Sequence, residues 1–424
     1  MKEFTLQQIL NEDTPLAVVK QSSRQGLLWL AAVMVGVTIC VPVFMMGSTL
    51  AGQLAFADFA MAALLGGTLA ALMAIATGVV GQRTGLPTAT LATITFGTRG
   101  AMLANAAMAL GSIGWFGIQT SVFATAFVAM VQQVWGMVLP VVPVMIVAGA
   151  VMSTTAIVGF RGLGKLGYVA TPLLLVVLGL PVVHFIQNGQ LAGVWAHVPA
   201  TPTLTMGAMA SMVAGAYSFS TIMPDFTRFM RSVRGMVGAI VLNFVVAYPL
   251  LLVLTGAVSV ASGQPDFMQL LIGLGFGVVA ILALFLATWT TNDGNVYTAA
   301  LAGNIFMPQL PRWQVAALVG VLGTACAVAG IFEHFMSWLM FSGNVFPPMA
   351  GVYVADYWLN RARYANLENR PAFRWRTVLA WAAGLGVGLA TTAPEAMGFG
   401  VLTLTTIPAL DALLAGAAVR VALR

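Results

Sequence analysis

Charge is what this chain has least of: Asp, Glu, Lys and Arg make up 7% of its 424 residues, against about a quarter in an ordinary soluble domain. A water-facing surface cannot be built from so few charges, and with 60% of the residues hydrophobic an all-α polytopic membrane protein is expected. Cysteine is nearly missing too. Cys40 and Cys326 both lie inside apolar runs, which excludes a disulfide framework. There is no GxxxxGK[ST] phosphate loop, no HExxH pair and no polar stretch long enough for an ATPase domain. Transport by such a chain draws on an ion gradient, or the protein is a passive pore. A membrane-embedded enzyme is disfavoured as well, because the three histidines sit at span ends or in a loop and no two carboxylates pair inside a span. The net charge of +6 speaks through its placement and implies no nucleic-acid partner. Glu3, Glu12 and Asp13 precede the first oily run, so no cleavable signal peptide is expected.

What is present is a succession of apolar runs, each about 20 residues or longer. They divide into twelve expected spans near 27–50, 57–81, 101–132, 136–160, 165–187, 205–224, 234–262, 268–303, 313–331, 334–356, 374–394 and 399–420. Leu86–Gly100 either opens the third span or forms a short separate helix. With a cytoplasmic N-terminus, all 18 lysines and arginines fall in inside segments, from Lys2, Lys20 and Arg24 to Arg420 and Arg424. The outside loops hold Asp58, Asp266, Glu333, Glu395, His197 and His334. This bias predicts that both termini are cytoplasmic, with residues 1–26 a cytoplasmic leader to the first span.

Two spans look interrupted. Span 1 carries Gly36, Pro42 and Gly47, and span 6 carries Gly215 before AYSFS and ends at Pro224. Their starts lie five spans apart, so 27–187 and 205–356 would be repeats of opposite topology, a 5+5 inverted repeat, with 374–420 outside it. Broken first helices in two inverted repeats point to a midplane substrate site.

The polar side chains cluster accordingly. In Leu286–Tyr297 (LATWTTNDGNVY), Ala287, Thr290, Thr291 and Gly294 share one helical face, with Asp293 and Asn295 on its edges. Such groups at membrane depth are either interhelical glue or a binding face. The Thr290 and Thr291 hydroxyls, completed by the Ala287 carbonyl and by carbonyls near Gly36 and Cys40 of span 1, suit sodium better than a transition metal. Asn292 and Asn295 are candidate substrate contacts of the same stretch. Asp293 is expected to pair structurally rather than relay a proton. In span 3, Ser112, Trp115 and Gln119 face one way. A tryptophan can stack on a flat heteroaromatic ring, and a glutamine amide offers donor and acceptor to its edge. Around the span 6 break, Tyr217 or Phe219 would close the other ring face, with Gly215, Ser218 and the local backbone reading its edge. Asp225, Arg228 and Arg231 in PDFTRF suggest an inner-gate network.

WTTND (Trp289–Asp293) with Tyr297, GWFG (Gly114–Gly117), PDFTRF (Pro224–Phe229) and PPMAGVYVADYWLNRARY (Pro347–Tyr364) resemble the nucleobase:cation symporter-1 family, especially its bacterial cytosine permease branch. The likeness runs from Gly36 to about Tyr364 with the motifs in order. It implies a LeuT-type fold of twelve spans in the bacterial inner membrane. It also implies sodium- or proton-driven import of a nucleobase, cytosine foremost, or of a related heterocycle such as hydroxymethylpyrimidine, allantoin, a hydantoin or a purine. The family pattern makes Trp115 the stacking tryptophan and Tyr217 its opposite number. It assigns the sodium site to Gly36, Cys40, Ala287, Thr290 and Thr291. Two positions depart from the cytosine branch: Ser112 stands where a glutamine is usual, and Gln119 matches the hydantoin and allantoin pattern instead.

Overall fold

A bilayer offers no water to pair backbone groups, so each apolar run must satisfy its own N–H and C=O groups by coiling. The computed structural model describes residues 18–424 apart from 203, 216–217, 265–266, 366–369 and 395–397. Among these no strand forms, and the single extended pairing is a bridge between Gln25 and Met230. The helices are α1 Leu27–Thr38, α2 Val41–Leu50, α3 Phe56–Thr84, α4 Thr88–Phe96, α5 Gly100–Trp135, α6 Val141–Val158, α7 Phe160–Gln187, α8 Met206–Gly215, α9 Pro224–Thr227, α10 Val233–Ser262, α11 Phe267–Gly273, α12 Gly277–Phe306, α13 Arg312–Val328, α14 Phe335–Leu359, α15 Trp375–Thr391 and α16 Pro408–Ala422. Among the described residues six helices are long and apolar enough to cross a membrane, and a seventh crossing results if α1 and α2 count as one bent span.

Several boundaries differ from the sequence expectation for local reasons. Leu86–Gly100 becomes the separate helix α4, closed off by Gly97 at φ 82, a conformation that costs glycine little. The run at 268–303 is two helices, with Gly275 at φ 86 between α11 and α12. Residues 399–407 are apolar yet not helical; α16 starts at Pro408, whose fixed φ suits a first helical position. Within α10, Leu242–Ala247 adopts a π-helical winding.

The interruption of the first span is sharp: α1 and α2 meet at 62°. Ile39 and Cys40 leave the helical region, Cys40 at φ −138 and ψ 159, and Pro42 sits in the first turn of α2. The second interruption follows Gly215, where α8 gives way to a 3₁₀ turn over Ser218–Ile222. At the centre, α12 packs against α5, α7, α6, α13 and α1, whereas α14, α15 and α16 pack on one another at one side.

The end of the molecule beyond the second interruption is tied down. Thr77 donates to the Ser220 carbonyl (2.7 Å), Tyr353 to the Thr221 carbonyl (2.7 Å) and Thr227 to the Gly78 carbonyl (2.9 Å). Asp225 accepts from the Thr88 amide at 2.7 Å, and the fully buried Arg228 donates to the Tyr297 hydroxyl at 2.7 Å. Arg24 reaches the carbonyls of Gln82 and Met230. Asp225 and Arg228 thus work through separate partners on α4 and α12 as well as through their mutual attraction.

Candidate functional site

A helix leaves its last carbonyls without intrahelical donors. At the end of α1, the Val35 carbonyl is taken by the Ile39 amide and that of Thr38 by the Cys40 amide. Gly36 and Val37 are served by side chains of α12 instead. Thr290 Oγ1 lies 2.7 Å from the Gly36 carbonyl and Thr291 Oγ1 lies 3.1 Å from that of Val37. The glycine serves a different neighbour: a β-carbon at residue 36 would come within 2.9 Å of the Thr171 hydroxyl of α7, while Thr290 would stay at an ordinary 3.7 Å.

Each threonine also faces its own helix. Thr290 Oγ1 is 3.1 Å from the Leu286 carbonyl and 3.0 Å from that of Ala287, and Thr291 Oγ1 is 3.0 Å from that of Ala287. Four carbonyl oxygens, those of Gly36, Val37, Leu286 and Ala287, therefore share only two hydroxyl protons, those of Thr290 and Thr291. A hydroxyl donates one hydrogen bond at a time and keeps lone pairs to spare. The cluster is rich in acceptors and short of positive charge, a donor set that fits a hard monovalent cation.

Of the expected ion ligands, the structure brings together Gly36, Ala287, Thr290 and Thr291. It replaces Cys40. The Cys40 carbonyl accepts from the amides of Val43 and Phe44 and starts α2, while its thiol lies against Gln119 and Thr291. The Val37 carbonyl meets Thr291 Oγ1 instead, because the helix ends at Thr38 and frees the carbonyls before that point rather than after it.

Gln119 stands one layer away on α5, 2% exposed, and its Oε1 has no hydrogen-bond partner. An unused acceptor at that depth is costly and marks a place for a donor the protein does not supply. Ser112 and Trp115 lie on the same face, Ser112 buried and Trp115 half-buried; the Trp115 indole N–H donates to Ser342 Oγ of α14 at 3.1 Å. Phe219, just past the second interruption, packs 4.7 Å from Phe226 and lies close to Gly294 of α12. Gly215 ends α8, and Ser218 opens the turn that follows. Tyr217 lies outside the described residues.

Asn292 corrects another expectation. It points into the packing between α12, α5 and α6, where its amide donates to Thr120 Oγ1 at 3.0 Å and to the Phe116 carbonyl at 3.4 Å. Asn295 donates to Asn292 Oδ1 at 3.3 Å. Asn292 thus ties α12 to α5, while the Asn295 bond stays within α12. Asp293 is 1% exposed, and no close hydrogen bond reaches either carboxylate oxygen. Thr155 and Arg312 are the polar side chains that act on it. With Thr290, Gly294, Val33 and Val37 it lines a cavity of about 10 Å³, at the lower limit for one water.

Two contributors escaped the sequence. Asn243, fully buried in the π-wound stretch of α10, receives a hydrogen bond from Thr38 at 2.9 Å and so holds the end of α1. A lone asparagine in an apolar run was the available signal. Ser342 anchors Trp115 and had no signal beyond its presence in FSGNVF.

Comparison with known proteins places this geometry in context. The family described as permease for cytosine/purines, uracil, thiamine and allantoin matches residues 18–409. The cytosine permease of Escherichia coli strain K12 is 31% identical over 373 residues, covering 87% of both chains. The hydantoin permease of Microbacterium maritypicum is 24% identical over 377 residues, 81% of this chain and 75% of that one. Among solved structures, Mhp1, a nucleobase-cation-symport-1 family transporter in a closed conformation with bromovinylhydantoin bound, superimposes with a TM-score of 0.77 at 20% identity over 97% of this chain and 94% of that one. The outward-open state of a Na+-coupled sialic acid symporter superimposes with a TM-score of 0.66 at 15% identity, over 97% and 95% of the two chains.

Proposed function

The chain belongs to the family of permeases for cytosine/purines, uracil, thiamine and allantoin, and on that premise we propose that it is a sodium-coupled symporter importing cytosine. Transport of a nucleobase-type substrate follows from the family and from the cytosine permease relative. The choice of sodium and of cytosine is our reading. The observation that carries it is the oxygen cluster at the end of α1, where four carbonyl acceptors share two hydroxyl protons.

In this reading sodium, when bound, supplies the missing positive charge between α1 and α12, held by Gly36, Val37, Ala287, Thr290 and Thr291. The heterocycle stacks between Trp115 and an aromatic after the second interruption, Tyr217 or Phe219. Gln119 Oε1 accepts a ring or exocyclic N–H. Gln119 also touches Cys40, which touches Thr291, so ion and substrate sites share a wall and each can bias the other. Twelve crossings, inverted repeats at 27–187 and 205–356, a bacterial inner-membrane location and cytoplasmic termini complete the proposal, with alternating access by rocking one bundle against the other.

A second reading rests on Asp293, whose buried carboxyl beside Thr290 suits coupling to protons instead. Thermal-shift measurements on the purified protein against cytosine, other nucleobases, hydantoins and hydroxymethylpyrimidine, in sodium and in choline, separate the two. Stabilisation by cytosine that requires sodium supports the first reading. Stabilisation indifferent to sodium favours Asp293, and indifference to every heterocycle removes the nucleobase assignment.

A further inference from the structure

The largest concentration of positive charge lies away from this site, where α14 ends, α15 begins and α16 ends. Arg363, Arg374, Arg376, Arg420 and Arg424 line a cavity of about 530 Å³ together with Trp358 and Trp375. One carboxylate organises it. Asp356, fully buried, takes Arg374 at 2.8 and 2.9 Å and Arg420 at 2.7 and 2.9 Å, and accepts from the Tyr364 hydroxyl at 2.9 Å. Two guanidiniums are thereby fixed in position, and guanidiniums outnumber carboxylates around the cavity. Arg376 also donates to the main-chain oxygen of Arg424, and Arg420 to that of Leu423. Arg363, Arg376 and Arg424 are exposed.

The surroundings specify the ligand further. Trp358 and Trp375 are 44% and 57% exposed, and neighbouring Phe373 is 52% exposed, the placement of an aromatic belt at a membrane surface. Arg361 lies 4.0 Å over the Trp358 ring. A lone phosphate would leave most of 530 Å³ empty, whereas guanidinium forks match phosphate oxygens and aromatic rims match a lipid's glycerol region. We propose that this cavity holds the phosphate headgroup of an anionic glycerophospholipid of the inner leaflet. The leaflet assignment rests on the proposed cytoplasmic placement of the basic loops; the binding chemistry does not depend on sodium or cytosine.

The test is a thermal-shift titration of the full chain in neutral detergent with phosphatidylglycerol, with phosphatidylcholine and with inorganic phosphate. Phosphatidylglycerol is expected to raise Tm and phosphatidylcholine to leave it unchanged. In Arg363→Gln/Arg376→Gln the half-saturating phosphatidylglycerol concentration should rise about 30-fold, each basic side chain contributing about fivefold. Arg363→Lys/Arg376→Lys keeps the charge and should lose less, which separates recognition from folding damage. An equal response to phosphatidylcholine, or an undiminished response in the glutamine pair, overturns the proposal. A full response to inorganic phosphate with nothing gained from phosphatidylglycerol reassigns the cavity to a soluble anion and overturns the lipid. Failure of the sodium or cytosine response would leave the phosphatidylglycerol arm readable.

Discussion

Two faces of α12 carry side chains of similar polarity and treat them in opposite ways. On the face toward α5 and α6, donors are matched to acceptors: Asn292 serves Thr120 and the Phe116 carbonyl, and the Trp289 indole serves Thr155 at 2.9 Å. On the face toward α1, Thr290 and Thr291 have two protons among a surplus of carbonyls. The first arrangement is complete without a ligand, and the second is the one our proposal completes with a cation. Polarity at membrane depth therefore does not by itself mark function. The balance of donors and acceptors does.

Substitutions test that contrast, beginning with the ion face. Thr290→Ala/Thr291→Ala removes two charge-assisted contacts worth about 1.5–3 kcal/mol each, so sodium should no longer stabilise the protein at any workable concentration in a thermal-shift titration. Thr291→Ala alone should raise half-saturating sodium about 10- to 150-fold. Trp115→Ala, which removes a stacking face worth about 1–3 kcal/mol, should weaken cytosine binding by isothermal calorimetry and leave sodium binding without substrate unchanged. Asn292→Ala should behave as the packing face requires: stability falls by about 1–3 kcal/mol from unpaired partners, with half-saturating sodium unmoved. A sodium effect in Asn292→Ala as large as in Thr291→Ala would erase the distinction between the faces. Asn295→Ala, one long hydrogen bond from a half-buried side chain, should cost the least, about 1 kcal/mol or less.

The face toward α1 was legible because helical periodicity turns the spacing of Ala287, Thr290 and Thr291 into shared orientation. The same periodicity rotates Asn292 about 100° past Thr291, which already pointed it elsewhere. The misplaced carbonyl has a similar lesson. Pro42 in the first turn of α2 dates the restart of the helix, and a helix that stops before that restart frees carbonyls such as those of Gly36 and Val37, not that of Cys40. Other features had no local code. The π winding around Asn243 and the Trp115–Ser342 pair depend on how distant helices meet. So does the setting of Asp293 between Thr155 and Arg312, since a carboxyl's partners are set by its neighbours in space.

Uptake into proteoliposomes under an imposed sodium gradient, with pH equal on both sides, tests the central claim most directly. Labelled cytosine should accumulate above its external concentration when sodium is high outside, and the accumulation should vanish in Thr290→Ala/Thr291→Ala. Accumulation that follows an imposed proton gradient in sodium-free medium, or a level that never exceeds the external concentration, would contradict the sodium symport mechanism.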